Sequence, residues 1–206
     1  MGPWRLPLAL TAFFSIGLAR AEAPPEFVKL RDQARPVESL SAFLDHFVGN
    51  CGADVFERST CEANSRRTRA EMTGKLFHLI LDDGRTLQAG SFDPSTRDFV
   101  VNMTPFLESG GLALTDGAPT ETDREGHPRI RFLPLHAFLP ETWTKMDMDR
   151  QLRTQNVRIH IVFKPLGLWS LPGKGKDRLE GVKAKFLAVR LTDARTGDDL
   201  ALYTSR

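Results

Sequence analysis

The chain has 206 residues, of which 41% are hydrophobic and 14 are Phe, so it carries enough apolar side chains to build a core. Its 28 basic and 26 acidic residues are interspersed and leave a formal net charge of +2 at pH 7. This composition excludes a disordered chain and gives no reason to expect nucleic-acid binding, which needs a concentrated basic face. The length suits one medium-sized domain.

The N-terminus has the layout of a secretory signal peptide. Arg5 supplies the positive start, residues 6–18 form an apolar stretch, and residues 19–21 (Ala-Arg-Ala) form a small-x-small cleavage site. The apolar stretch is too short to span a bilayer comfortably, and residues 21–23 offer a second cleavage site. We therefore expect residues 1–21 to be removed as a signal peptide. The mature chain is expected to be exported, periplasmic or secreted, with no transmembrane segment.

Helical signals dominate the next part of the chain. Residues 22–36 are polar with three prolines and are expected to form an N-terminal tail or an edge segment, so that the domain itself covers 37–206. Apolar residues from Val37 to Val48 recur at helical spacing, and Gly49 is well placed to end that helix.

A second, polar helix is expected further on. It passes through a charged group that favours a solvated face, with an anion site as the alternative. This group is Arg66, Arg67, Arg69 and Glu71.

The two cysteines, Cys51 and Cys61, predict one disulfide closing a small loop, which is the usual state of a cysteine pair in an exported chain. A catalytic or metal-binding pair is the alternative. Their spacing is not C-x-x-C and no His lies nearby in the sequence, so the disulfide is favoured. We expect no cofactor and no metal.

From Lys75 the pattern changes to that of β-strands. An apolar run at 76–81 is followed by Asp-Asp-Gly-Arg at 82–85, which predicts a hairpin turn with residues 86–89 as the return strand. Further strands are expected at 99–103, 112–115 and 130–135. Between the last two lies an exposed loop whose acids and His127 suggest a metal site, but their spacing is not that of an EF-hand.

A helix is expected from Pro140 to Leu152, because Pro and an acid at 140–141 suit the first turn. The alternation of Met and Asp at 146–149 leaves an extended strand as the alternative.

The C-terminal stretch predicts three strands. Apolar residues alternate with polar ones from Val157 to Lys164, and further apolar runs cover 182–191 and 200–203. Asp and Gly residues at 193–198 predict the turn between the last two strands. The whole pattern predicts an α+β fold, a mainly antiparallel β-sheet with N-terminal helices packed on it. A decorated β-sandwich is the second choice.

The segment from Leu166 to Lys176 leads from apolar residues with a Trp into a Gly/Lys-rich loop. One interpretation makes Trp169, Lys174 and Lys176 a contact surface for a partner, since Trp is a common interface anchor. The other places Trp169 at the end of the sheet core, with the lysines keeping a hairpin loop soluble. The glycine spacing is not that of a phosphate-binding loop.

No catalytic motif is present in the sequence. There is no G-x-S-x-G and no H-E-x-x-H, and the five His residues are scattered. We therefore expect a monomeric, non-enzymatic domain that binds an envelope protein or component. A hydrolase with dispersed acid/base groups, drawing on His78, His136 or His160, is one alternative; a small-ligand carrier with a closed apolar pocket is another.

Several segments resemble a family of exported bacterial proteins of unknown function. They are 43–45 (Phe-Leu-Asp) with the two cysteines, 90–94 (Gly-Ser-Phe-Asp-Pro), 104–106 (Thr-Pro-Phe), 181–184 (Gly-Val-Lys-Ala) and 193–197 (Asp-Ala-Arg-Thr-Gly). The similarity covers most of the mature chain. It implies a bacterial envelope location and supplies no activity, cofactor or catalytic residue.

Overall fold

A computed structural model describes most of the chain. The described residues are 23–49, 51, 55–82, 84–123, 125–139, 142–154, 156–172 and 178–205. The predicted signal peptide, Lys174 and Lys176 lie outside these ranges.

The described residues form four α-helices and ten β-strands. The helices are α1 (Pro25–Gln33), α2 (Leu40–Val48), α3 (Val55–Met72) and α4 (Lys145–Arg153). The strands are β1 (Arg35–Val37), β2 (Phe77–Leu81), β3 (Leu87–Asp93), β4 (Asp98–Met103), β5 (Phe106–Ser109), β6 (Leu112–Asp116), β7 (Leu133–Ala137), β8 (Val157–Pro172), β9 (Arg178–Asp193) and β10 (Asp199–Thr204).

The ten strands form one mixed sheet in the order β1-β2-β8-β9-β10-β7-β4-β3, with β6 and then β5 added beside the first half of β9. The pairs β1–β2 and β6–β9 are parallel, and the other described pairs are antiparallel. The α+β fold with a mainly antiparallel sheet is therefore confirmed, and the β-sandwich is not the observed arrangement.

Each face of the sheet is covered by helices of different character. On the core face the ring of Phe43 in α2 lies 5.3 Å from that of Phe77 and 5.1 Å from that of Phe163, both edge-on. On the opposite, outer face Phe27 of α1 is fully buried in a small cluster with Val162. Burial of each such side chain stabilises the fold by about 1.5–3 kcal/mol.

Local capping explains where α2 and α4 begin and end. The Ser39 hydroxyl accepts a hydrogen bond from the Ala42 N–H at 3.1 Å, so α2 starts at Leu40 instead of Val37. Gly49 ends this helix with φ +78°, a conformation that favours glycine. Thr144 and Asp147 form a reciprocal capping box at the start of α4. The helix predicted up to Leu152 is thus confirmed and the extended alternative is excluded, although its first residue is Lys145.

Residues 22–36 contribute more structure than a tail. Residues 25–33 form α1, which packs on the outer face, and residues 35–37 form β1 at the edge of the sheet, parallel to β2. Phe27 anchors the helix there because its ring is buried between sheet residues.

Two predictions about strands are wrong. Residues 82–85 do not close a hairpin, because β2 has β1 on one side and β8 on the other, while β3 pairs with β4. The strand predicted to end at Lys164 instead continues to Pro172, and this second half of β8 pairs with β9 as far as Arg178. The first error concerns pairing between distant segments, which a short turn signal does not reveal. The predicted turn at 193–198 is confirmed: Gly197 has φ +80°, and the Asp193 carboxylate accepts from the N–H groups of Arg195 and Thr196.

Candidate functional site

The β8–β9 hairpin extends beyond the part of the sheet that β2 covers. Residue pairs join β8 and β9 from Val157–Asp193 to Pro172–Arg178, but β2 pairs with β8 only as far as Phe163. The last backbone bond on that side runs from the Gly74 N–H to the Pro165 carbonyl at 3.0 Å. Residues 166–172 have no strand partner on this side among the residues that the structure describes. We call this segment of β8 the open edge.

Apolar side chains lie exposed along the open edge. Leu166 is 48% exposed and Leu168 is 38% exposed. Both belong to β8, whose register against β9 shifts between Pro165 and Gly167, so Leu166 lies at an irregularity of the strand. Leu168 also lines a cavity of about 240 Å³ at the end of the core. The walls of this cavity, which we call the edge cavity, are Val48, Leu168, Trp169, Ser170, Glu180 and Gly181. The open edge therefore combines free backbone groups with an adjacent apolar recess.

Trp169 lines the edge cavity with a side chain that is packed inside the fold. Its side chain is only 8% exposed and contacts Phe106, with the ring centroids 6.1 Å apart. It pairs across the hairpin with Gly181, where a Cβ would lie 2.8 Å from Cζ2 of Trp169 and 2.2 Å from the Ala113 carbonyl oxygen. The indole therefore occupies the space that a side chain at position 181 would need, so this position requires glycine. Its Nε1 is buried with no hydrogen-bond partner in the described part of the chain.

Of the two interpretations of Trp169, the structure agrees with the one that places its ring in the core, beside the exposed leucines. Of the neighbouring side chains that a partner would meet, Leu166 and Leu168 are the exposed ones. Sequence reasoning missed them because it treated this segment as a loop.

Basic side chains gather at the start of the open edge. Lys164 lies directly opposite Lys185 across the hairpin, and the Lys183 side chain crosses over Gly167. Like charges placed opposite each other destabilise a sheet. None of these three lysines forms an ion pair with an acid among the described residues. This end of the hairpin is therefore positive.

A half-buried histidine pair lies under α1, away from the open edge. His78 and His160 stack with ring centroids 5.6 Å apart, and Phe27 contacts both rings. Burial, followed by the charges of Arg31 and Arg190, lowers the pKa of His78. Burial, followed by His78 and Arg190, lowers the pKa of His160 to about 4.

This pair does not match the arrangement of a hydrolase. The Nε2 atom of His160 faces the hydroxyl of Thr192 at 3.5 Å, and the Nε2 atom of His78 has no partner in the described chain. A catalytic base that activates a nucleophile lies within hydrogen-bond reach of that nucleophile and of a group that orients it. Among the described residues neither ring has a carboxylate as a hydrogen-bond partner, although the charge of Asp82 acts on His160. Arg190 lies over the ring of Phe27 and forms an ion pair with Asp199.

The remaining histidines with acidic neighbours lie on the surface. The Nδ1 of His136 lies 3.4 Å from Asp98, with both side chains exposed. In the loop before β7, ligand atoms of Asp123, Glu125 and His127 lie within 4.8 Å of one another. The Asp123 carboxylate already accepts hydrogen bonds from the backbone N–H groups of Glu125 and His127. Asp commonly makes such bonds to stabilise a turn.

The predicted disulfide is confirmed, with Cys51 and Cys61 joined and their Cα atoms 5.7 Å apart. It borders a cleft of about 600 Å³ between α2, α3 and the β5–β6 turn. The cleft contains charges of both signs, since its basic residues face acids. The charged residues are Asp45, Arg58, Glu62, Arg66, Arg69 and Glu180.

Three arginines in this cleft form hydrogen bonds or an ion pair with other residues of the protein. Arg69 donates to the backbone carbonyls of Phe47 and Val48 at the end of α2, and Arg58 faces Glu62 at 3.9 Å. Arg69 therefore joins α3 to α2, and Arg66 donates to the backbone carbonyl of Glu62 in its own helix at 3.4 Å. The anion site that the sequence left open for this group stays a prediction.

Fold and surface together define a compact α+β domain with a projecting hairpin that has one open edge. Across the described residues, no helix has the length and apolar character needed to cross a membrane. The chain belongs to a family of unknown function, DUF6066, whose sequence profile matches residues 4–206. The predicted membership of an uncharacterised family is therefore confirmed. No curated protein matches the chain, and no solved structure does.

Proposed function

We propose that this protein is an exported envelope protein that acts as a non-enzymatic interaction domain, binding another protein through the open edge of β8. The observation that carries the proposal is the pair of exposed leucines on a strand whose backbone, within the described part of the chain, has no strand partner on one side. Natural sheets usually protect such edges with charges, prolines or covering segments, because exposed strands bind other strands.

Export is supported by two independent features of the chain. The first residues have the n-region, apolar stretch and cleavage site of a signal peptide. The Cys51–Cys61 disulfide suits an oxidising compartment such as the periplasm.

The two alternatives find less support in the described residues. The hydrolase would need its histidines beside acids in a cleft, whereas His78 and His160 lie under α1 beside Arg190. The carrier would need an enclosed apolar pocket, whereas the cleft of about 600 Å³ beside the disulfide is lined by charges of both signs.

In-cell photo-crosslinking tests the proposal. A photoreactive amino acid is placed at position 168, and the adduct is identified by mass spectrometry. The matched control position is Gln88, which is exposed on β3 at the opposite edge of the sheet. We expect one saturable protein adduct from 168 and none of that size from 88. If folded, exported protein gives no adduct from 166 or 168, the proposed function is wrong.

A further inference from the structure

The open edge is bounded and uncharged. Pro165 and Pro172 stand at its two ends, and neither has an N–H to donate. Between them the residues are Leu, Gly, Leu, Trp, Ser and Leu, so no charge protects the strand. An edge of this kind, about 20 Å long, offers alternating N–H and C=O groups to a second extended backbone.

The edge cavity offers a place for a side chain from that second backbone. It lies where Leu168 and Trp169 of the edge meet Val48 at the end of α2, and its lining is mostly apolar. A strand added to a sheet edge gains affinity from its main-chain bonds and specificity from such recesses for alternate side chains.

The lysines beside the open edge favour an extended partner that carries acidic residues. Lys164 and Lys185 lie opposite each other at the start of the edge, and Lys183 lies beside them. By sequence, residues 164–176 contain three lysines and no acid. Acidic side chains flanking the apolar part of a partner would complement this charge. A second copy of this chain would offer these lysines no acid from its own open edge, because residues 166–172 contain none.

From these observations we infer that the open edge accepts an extended, acid-flanked polypeptide segment as an added β-strand, with one of its apolar side chains in the edge cavity. The inference rests on the proposed function and names the chemistry of the partner.

A synthetic peptide tests this inference directly. The probe is a fluorescein-labelled peptide of about ten residues that alternates Leu and Thr and has two Glu residues at each end. Its controls are a shuffled peptide of the same composition, in which alternation is lost, and a version with Lys in place of Glu. Fluorescence anisotropy measures binding. We expect both controls to bind at least about tenfold more weakly than the probe.

N-methylation of the probe distinguishes an added strand from other contacts. Alternate amides of a strand point to opposite edges, so methyl groups on one set remove the donors that face β8, and methyl groups on the other set face solvent. We expect one methylated series to lose binding and the other to retain it. Hydrogen exchange should then show new protection within residues 166–172. Equal binding by both series, or protection elsewhere, overturns the inference.

Two variants locate the contacts on the protein. Leu168→Asp should abolish binding of the probe, whereas Met146→Asp, at a 70% exposed methionine on α4, should not. K164E/K185E should lose the preference for the acidic probe over its lysine version, and K29E/K145E should keep it. Circular dichroism melting verifies that each variant is folded.

The outcomes separate this inference from the proposed function. A saturable adduct from position 168, together with no probe binding at concentrations on the order of 1 mM, overturns the added strand and leaves an interaction domain. Probe binding that Leu168→Asp does not weaken overturns the role of the open edge. The absence of any adduct from the edge contradicts the proposed function itself.

Discussion

His78 and His160 stack face to face on adjacent strands, with their ring planes 11° apart and their centroids separated by 5.6 Å. Phe27 of α1 contacts both rings edge-on, and Arg190 lies over the Phe27 ring. The stack is stable only while both imidazoles are neutral, because a proton on either would place a second positive charge beside Arg190.

Acid should therefore destabilise the fold through this pair. The pKa of His160 is lowered from about 6.5 in the unfolded chain to about 4 in the folded protein. The stabilisation is complete above about pH 6.5 and is lost as the pH falls towards about 4, because the unfolded chain binds the proton first. We expect His160 to account for about 1–2 kcal/mol after allowance for its partial exposure.

Urea unfolding at several pH values checks this prediction. His160→Asn should flatten the dependence of the unfolding free energy between about pH 6.5 and about pH 4. His136→Asn, at a surface position, should leave the slope unchanged. An unchanged slope in the His160 variant would show that this stack does not set the acid sensitivity.

Removing the carboxylate of Asp199 should destabilise the protein strongly. Arg190 and Asp199 are 11% and 12% exposed, so Asp199→Asn leaves a buried guanidinium without its counter-charge. We expect a loss of about 3–5 kcal/mol in the free energy of unfolding. Arg190→Met combined with Asp199→Leu should recover most of it, because no charge is then buried. A loss below about 1 kcal/mol in the single variant would contradict the prediction.

Gly181 should tolerate no side chain. A Cβ there meets the Ala113 carbonyl oxygen at 2.2 Å and the Trp169 ring at 2.8 Å, and neither a backbone carbonyl nor a packed indole moves easily. Gly181→Ala is expected to lose about 1–3 kcal/mol of stability, measured by thermal or urea unfolding. Ser170→Ala on the exposed side of the same hairpin should stay within about 0.5 kcal/mol of the parent. Equal stability of the two variants would mean that the hairpin adjusts its register.

Protein purified from the cell envelope should contain one disulfide and lack residues 1–21 or 1–23. Intact mass before and after reduction and alkylation measures both properties. Two free thiols, or an intact N-terminus, would contradict the proposed export.

Replacing Cys51 and Cys61 by Ser should lower the free energy of unfolding by up to about 3 kcal/mol, since the disulfide closes a short loop.

Local chemistry made part of this fold predictable. Helix α2 and the turn at 193–198 were readable because Gly49, Asp193 and Gly197 act within a few residues of their own position. The disulfide was readable because the chain has only two cysteines.

Part of what the sequence did not reveal depends on pairing between distant segments. The partner of β2 is β8, which lies about eighty positions further along the chain, so the Asp-Gly turn after β2 misled the hairpin prediction. The open edge was missed for a different reason: the glycine and proline residues of this segment were interpreted as loop, although residues 166–172 pair with the next strand, β9. Alternation of Leu166 and Leu168 with Gly167 was the signal that could have indicated it.

The packing of α1 depends on strands that are synthesised much later. This helix is made early in synthesis, yet Val162 and Ala188, on which Phe27 rests, come near the other end of the chain. Phe27 must wait until β8 and β9 have paired before its ring leaves water. A nascent or truncated chain that stops before β9 therefore leaves the Phe27 side chain in water, and such exposed apolar surface makes the chain a target for chaperones and proteases until the final strands arrive.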